Sequence, residues 1–148
     1  MRQLDVVYIA GFFDGEGSVG LYASSKARRY NLRACLTQVR STESDQLFEL
    51  ILKLFGGKLY YSRQYKPQHR PAMMWSLYGD AAANFLKVLR PYLRLKRRDV
   101  DLVISWQKKF GSSKQHKKDP NGWAVLRRTE AEAIRIAFGR TKGPARSY

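Results

Sequence analysis

The sequence predicts an α+β fold, one antiparallel sheet with helices gathered on one of its faces. Three observations lead there. Residues 18–27 and 30–40 alternate apolar with polar side chains, the period of strands covered on one side only. Residues 4–15, 44–55, 80–89 and 97–109 place their apolar residues at helical spacing. Turn and stop residues separate the segments, giving the order α-β-β-α-β-β-α-α.

In the first helix, residues 4–15, Val6, Ile9, Phe12 and Phe13 share one arc. Val7, Ala10, Gly11 and Asp14 share the opposite one. The first arc is bulky enough for a core, and the second is small enough to admit another helix, so a homodimer through Val7, Ala10, Gly11 and Asp14 is expected. Gly15 and Gly17 suit the end of the helix.

In the two strands that follow, Val19, Leu21 and Ala23 alternate with Gly20, Tyr22 and Ser24. Leu32, Ala34 and Leu36 alternate with Arg33, Cys35 and Thr37. Ser44 or Thr42 caps the second helix, with Leu47, Phe48, Ile51, Leu52 and Phe55 inward and Gly56-Gly57 as its stop. Strands follow at 58–66 and 72–79. Helices at 80–89 and 97–109 are separated by Pro91. Composition changes near residue 110, dividing the chain into a domain over 1–110 and a basic loop, short helix and tail over 111–148. Thr129-Glu-Ala-Glu132 reads as a capping box that opens the short helix.

The chain has 148 residues, 44% of them apolar and 13% aromatic, enough for one domain with a packed core. Its 28 Lys and Arg against 12 Asp and Glu give a formal charge of +16, which calls for a polyanionic partner. No apolar run nears the roughly 20 residues of a membrane span, and nothing resembles a secretory leader. An intracellular protein without a membrane partner is expected. One cysteine, Cys35, excludes an internal disulfide, and only two histidines accompany it, which excludes a Cys/His zinc finger.

Acids are scarce, so two of them closing an apolar helix need a reason. Carboxylates at a helix C-terminus meet its partial negative charge and cost up to about 1 kcal/mol. A divalent cation reverses that sign, and Mg²⁺ is typically held by one or two carboxylates with waters and phosphate oxygens. The bland reading has Asp14 and Glu16 bonding turn amides beside the glycines; of the two, Glu16 is the better ligand.

A second group comprises Tyr22, Ser24, Lys26, Arg28, Arg29, Arg33, Arg40, Tyr60, Ser62, Arg63, Gln64, Lys66 and Arg70 in the strands and their turns. It suits phosphate and base-edge contacts, against the alternative of a solvated sheet face. Lys96, at a loop-to-helix junction, is a phosphate contact, a stabiliser of charge at a scissile phosphate, or one surface lysine among many.

Residues 9–17, Ile-Ala-Gly-Phe-Phe-Asp-Gly-Glu-Gly, resemble the LAGLIDADG motif of homing endonucleases. Leu-Phe-Gly-Gly at 54–57 and Leu-Arg-Pro-Tyr-Leu-Arg-Leu-Lys at 89–96 fall at that family's distances, so the likeness covers about residues 4–109. It implies an α-β-β-α-β-β-α saddle over double-stranded DNA, with motif helices paired at the centre. It implies metal at the Glu16 carboxylate and the Gly15 carbonyl, and Lys96 as the active-site lysine. The family's water-organising pair falls on Arg40 and Ser44 in one register, and on Ser41 and Asp45 in the other.

With one motif in the chain, the resemblance implies a homodimer that hydrolyses one phosphodiester per strand of a pseudo-palindromic site and leaves a staggered break. Mg²⁺ is the expected cofactor, Mn²⁺ an alternative, and Ca²⁺ an ion that supports binding without cleavage. A phage, bacterial, archaeal or organellar intron setting suits such a protein. The competing reading is a cleavage-deficient DNA or RNA binder on the same fold, an intron maturase or a transcription regulator. A ribosomal-type RNA binder is a third.

Overall fold

The structure is a computed structural model, and it describes residues 1–23, 29–62, 67–68, 70–111 and 120–139. The elements are α1 (Gln3–Glu16), β1 (Gly17–Ala23), β2 (Tyr30–Val39), α2 (Thr42–Phe55), β3 (Lys58–Tyr61) and β4 (Ala72–Tyr78). They continue with α3 (Gly79–Leu89), a 3₁₀ turn (Arg90–Tyr92), α4 (Arg97–Phe110) and α5 (Pro120–Ala137). The four strands form one antiparallel sheet in the order β1-β2-β4-β3.

The strand period gives the sheet two unlike faces. Val19, Leu21, Leu32, Ala34, Leu36, Trp75 and Leu77 are buried on the side the helices cover. Ser18, Gly20, Tyr22, Arg33, Cys35, Thr37, Met74 and Ser76 alternate with them and form the other face, as predicted for β1 and β2. The core centres on Phe85 of α3, which meets the rings of Phe13, Phe55 and Trp75 edge-on at centroid distances of 5.4, 4.9 and 4.9 Å. The indole N–H of Trp75 donates to the carbonyl of Gly56 at 2.7 Å, so the turn after α2 is tied to the same cluster.

Several boundaries differ from expectation. Glu16 is the last residue of α1 and not the first beyond it. Ser41, one residue before Thr42 and three before Ser44, caps α2: its hydroxyl accepts from the Ser44 amide at 3.0 Å, and the Ser44 hydroxyl accepts from the Ser41 amide at 2.8 Å. The C-terminal helix starts at Pro120, nine residues before the expected capping box. Thr129 therefore lies inside it, and its hydroxyl donates to the Val125 carbonyl at 2.9 Å. What fixes α5 is tertiary: Ala131 enters the core, and the Trp123 ring stacks on Phe110 of α4 at 4.8 Å.

Candidate active site and open sheet face

The end of α1 is built by close packing. The Gly17 amide donates to the Phe13 carbonyl. A Cβ at Gly17 would lie 2.3 Å from the Phe13 ring and 2.5 Å from its carbonyl oxygen, so only glycine fits without moving backbone. One turn earlier, Asp14 is buried with 8% exposure. Its carboxylate accepts from the amides of Arg94 (2.7 Å), Leu95 (2.9 Å) and Lys96 (2.9 Å). Burial pushes its pKa up, but the three amides and the Lys96 ammonium outweigh that and hold it below the ordinary aspartate value.

Asp14 thereby fixes the loop that carries Lys96. The Lys96 ammonium donates back to the Asp14 carbonyl, one of the last four of α1, where a cation answers the negative end of the helix. Glu16, two residues on, is exposed. The structure thus brings Lys96 to the same helix end as Glu16 and Gly15.

Among the described residues no three His, Cys, Asp or Glu side chains cluster as a metal site. One chain offers a single exposed carboxylate and helix-end carbonyls here. That donor set fits a hard divalent cation completed by water and phosphate oxygens, and it does not fit a zinc cage.

At the junction of β2 and α2, the two registers of the polar pair dissolve into a different arrangement. Ser41 and Ser44 are spent on the cap of α2, and the Ser44 hydroxyl also donates to the Val39 carbonyl at 3.0 Å. Arg40 and Asp45 pair with each other at 3.0 and 3.3 Å, and this pairing raises the pKa of Arg40. The Arg40 guanidinium also stacks 4.6 Å from the Tyr61 ring. Tyr61 pairs with Met73, on the helix side of the sheet, so Arg40 belongs to the sheet's end and not to its open face.

Of the other residues expected to touch nucleic acid, Tyr22, Arg33 and Tyr60 share the open face. Ser62 closes the β3–β4 edge, accepting from the Ala72 amide at 3.0 Å and donating to its carbonyl at 3.2 Å. Arg29 and Arg70 are exposed at the borders of the sheet. Ser24, Lys26, Arg28, Arg63, Gln64 and Lys66 lie outside the described residues.

The open face of α1 differs from the expected arc. Leu4 (81% exposed), Tyr8 (64%) and Val7 (41%) line up with Gly11 and Gly15, and a Cβ on either glycine would meet nothing within 4 Å. Ala10 and Asp14, assigned to that arc from sequence, turn into the chain's own core. They sit at the border of the arc, where small size said nothing about direction. Leu4 and Tyr8 were missed, although the 4, 7, 8, 11, 15 spacing marks one helical stripe.

No family model and no curated protein matches the chain. Solved structures do. It is similar to the homing endonuclease I-CvuI in complex with the I-CreI target, with TM-score 0.70 and 22% identity over 98% of this chain and 87% of that one. It is similar to the archaeal intron-encoded homing endonuclease I-Vdi141I complexed with DNA, with TM-score 0.67 and 17% identity over 100% and 91%. The LAGLIDADG homing endonuclease I-GzeII in complex with its DNA target gives TM-score 0.62 and 19% identity; 99% of this chain aligns with 46% of that one. An α1 that ends on Ile-Ala-Gly-Phe-Phe-Asp-Gly-Glu-Gly beneath a one-sided four-stranded sheet is the LAGLIDADG homing endonuclease fold, here in the size of its single-motif form.

Proposed function

We propose that the chain is a site-specific DNA endonuclease that acts as a homodimer and hydrolyses one phosphodiester on each strand. The observation that carries this reading is the end of α1, where Glu16 is exposed and Lys96 is anchored on Asp14, two residues before it. DNA complexes of the similar structures I-CvuI and I-Vdi141I support double-stranded DNA as the partner, and the formal charge of +16 agrees. Among the described residues no helix is long and apolar enough to cross a membrane.

In this reading two α1 stripes pack against each other and bring two Glu16 residues to the dimer axis, one for each strand of a pseudo-palindromic site. Glu16 and the Gly15 carbonyl would hold a divalent cation, Mg²⁺ or Mn²⁺. When bound, the cation supplies Lewis acidity to the phosphoryl group and makes water a stronger nucleophile. Lys96 sits at the same helix end, and its ammonium offsets charge that develops on the phosphate. The symmetric placement of the two sites gives a staggered break.

The test is Glu16→Gln against a library of DNA sites. Wild type is expected to enrich one sequence in Ca²⁺ and to cut it in Mg²⁺. The variant is expected to enrich the same sequence and to cut it at least about a thousandfold more slowly, an order of magnitude set by the loss of metal-assisted stabilisation. Wild-type cutting by the variant removes Glu16 from the mechanism. A wild type that binds in both ions and cuts in neither is a DNA-binding protein on this fold.

A further inference from the structure

The middle of the open sheet face contains two buried polar atoms with no hydrogen-bond partner, the Arg33 Nε and the Ser76 Oγ. Arg33 explains both. Its Nη2 lies 3.0 Å from the Met74 sulfur, and its guanidinium carbon 5.5 Å from the centre of the Tyr22 ring. In the β2–β4 register Arg33 faces Tyr78 and Met74 faces Thr37, with the Cys35–Ser76 pair between them. The guanidinium therefore lies along the sheet and roofs that pair. This is why Ser76 is buried on a face that carries no helix.

A thioether is a weak acceptor, and a guanidinium with a buried, unmatched N–H is poorly served by it. Opposite Arg33 on β1 stands Gly20, which sets no side chain of its own against Arg33. Its neighbours in register and along β2, Gly20, Tyr78, Asn31 and Cys35, and Tyr22 beside it carry no charge, and the other described cation on this face, Lys58, stands on the edge strand β3 opposite Ser76, so Arg33 is set apart on an interior strand. A lone planar fork on an interior strand suits the paired acceptors on the groove edge of guanine.

We propose that Arg33 is a base-reading side chain parked on Met74 in the free protein, which lifts to donate both arms of its fork to O6 and N7 of a guanine in each half-site. The proposal rests on the DNA-endonuclease reading and adds the recognition step.

Binding-site selection in Ca²⁺ with wild type and Arg33→Lys tests it, because lysine keeps the charge and loses the fork. Wild type is expected to enrich a site with guanine at one symmetric pair of positions. Arg33→Lys should lose that preference, a fall of about tenfold to a hundredfold in discrimination per half-site, while the slope of affinity against salt stays the same. An enriched consensus that survives Arg33→Lys overturns the proposal and leaves the endonuclease reading intact. A wild type that enriches no sequence overturns both. The parked pose has its own check in the free protein. Arg33→Ala should speed labelling of Cys35 by a thiol reagent several-fold, and an unchanged rate shows that Arg33 does not cover that row.

Discussion

Asp14 shows how one buried side chain organises the end of α1 around the proposed site. Its two carboxylate oxygens satisfy three consecutive amides at Arg94, Leu95 and Lys96, and that is what presents Lys96. Asp14→Asn offers a single acceptor and turns an NH₂ toward amide donors, leaving at least one buried N–H unmatched. It should lower unfolding free energy by about 2–4 kcal/mol in denaturant melts. The pH dependence has a definite sign. The folded pKa of Asp14 lies below the ordinary value of 3.8, so its stabilisation is fully present above that value and is lost as pH falls through the folded pKa. The stability gap between wild type and Asp14→Asn should be flat near neutrality and shrink below about pH 4. A gap that stays constant through that range would assign the loss to packing and not to charge. Gly17 is the second sensitive residue. In Gly17→Ala the new methyl must displace the Phe13 ring and backbone, at a cost of about 1–3 kcal/mol, with Glu16 next to the disturbance.

Among the elements, α1 presents an exposed outer stripe, and in the homodimer reading that stripe makes the sharpest prediction. Gly11 is exposed, with free space around a built Cβ, so Gly11→Gln leaves the single chain's packing untouched and favours the helix by up to about 1 kcal/mol. It should nevertheless abolish the dimer, because a long side chain holds two stripes apart. Sedimentation should report a monomer with an unchanged or raised melting point, and double-strand cleavage should vanish. A Gly11→Gln dimer that still cuts both strands removes α1 from the interface. The same helix marks how far the sequence can be read. Helical spacing identified Val6, Ile9 and Phe13 as core, because bulky apolar residues on one arc have one destination. The inward turn of Asp14 depends on amides 80 to 82 residues later in the chain, which no local pattern encodes. Strand alternation carried the face assignment of the described residues of β1 and β2, since a half-covered sheet permits only one phase. The first turns of α5 were hidden by Pro120, Asn121 and Gly122. Proline is in fact favoured at a helix start, and the partners that hold α5, Phe110 for Trp123 and the core for Ala131, are again distant.

For the whole molecule, the question is where a charge of +16 acts. On the open face Arg33 has uncharged partners in register and Lys58 lies on the edge strand β3, while Arg29 and Arg70 stand exposed just before β2 and β4. Composition predicts a polyanionic partner, but it does not separate cations suited to affinity from one suited to selectivity, because that difference lies in position on the sheet. In the proposed reading, cations outside the strands meet the phosphate backbone, which carries no sequence information, and each phosphate neutralised releases counterions. Arg29→Gln or Arg70→Gln should therefore weaken cognate and scrambled DNA by the same factor. Each should flatten the slope of log affinity against log salt by about one unit for every phosphate no longer neutralised, hence about two in a dimer. Fluorescence anisotropy between about 50 and 200 mM salt reads both quantities in one titration series. Arg33→Lys is expected to do the reverse, leaving the slope and reducing discrimination. If Arg29 or Arg70 alters discrimination with an unchanged slope, the border cations read bases, and the division of the sheet into a selective centre and an adhesive rim is wrong.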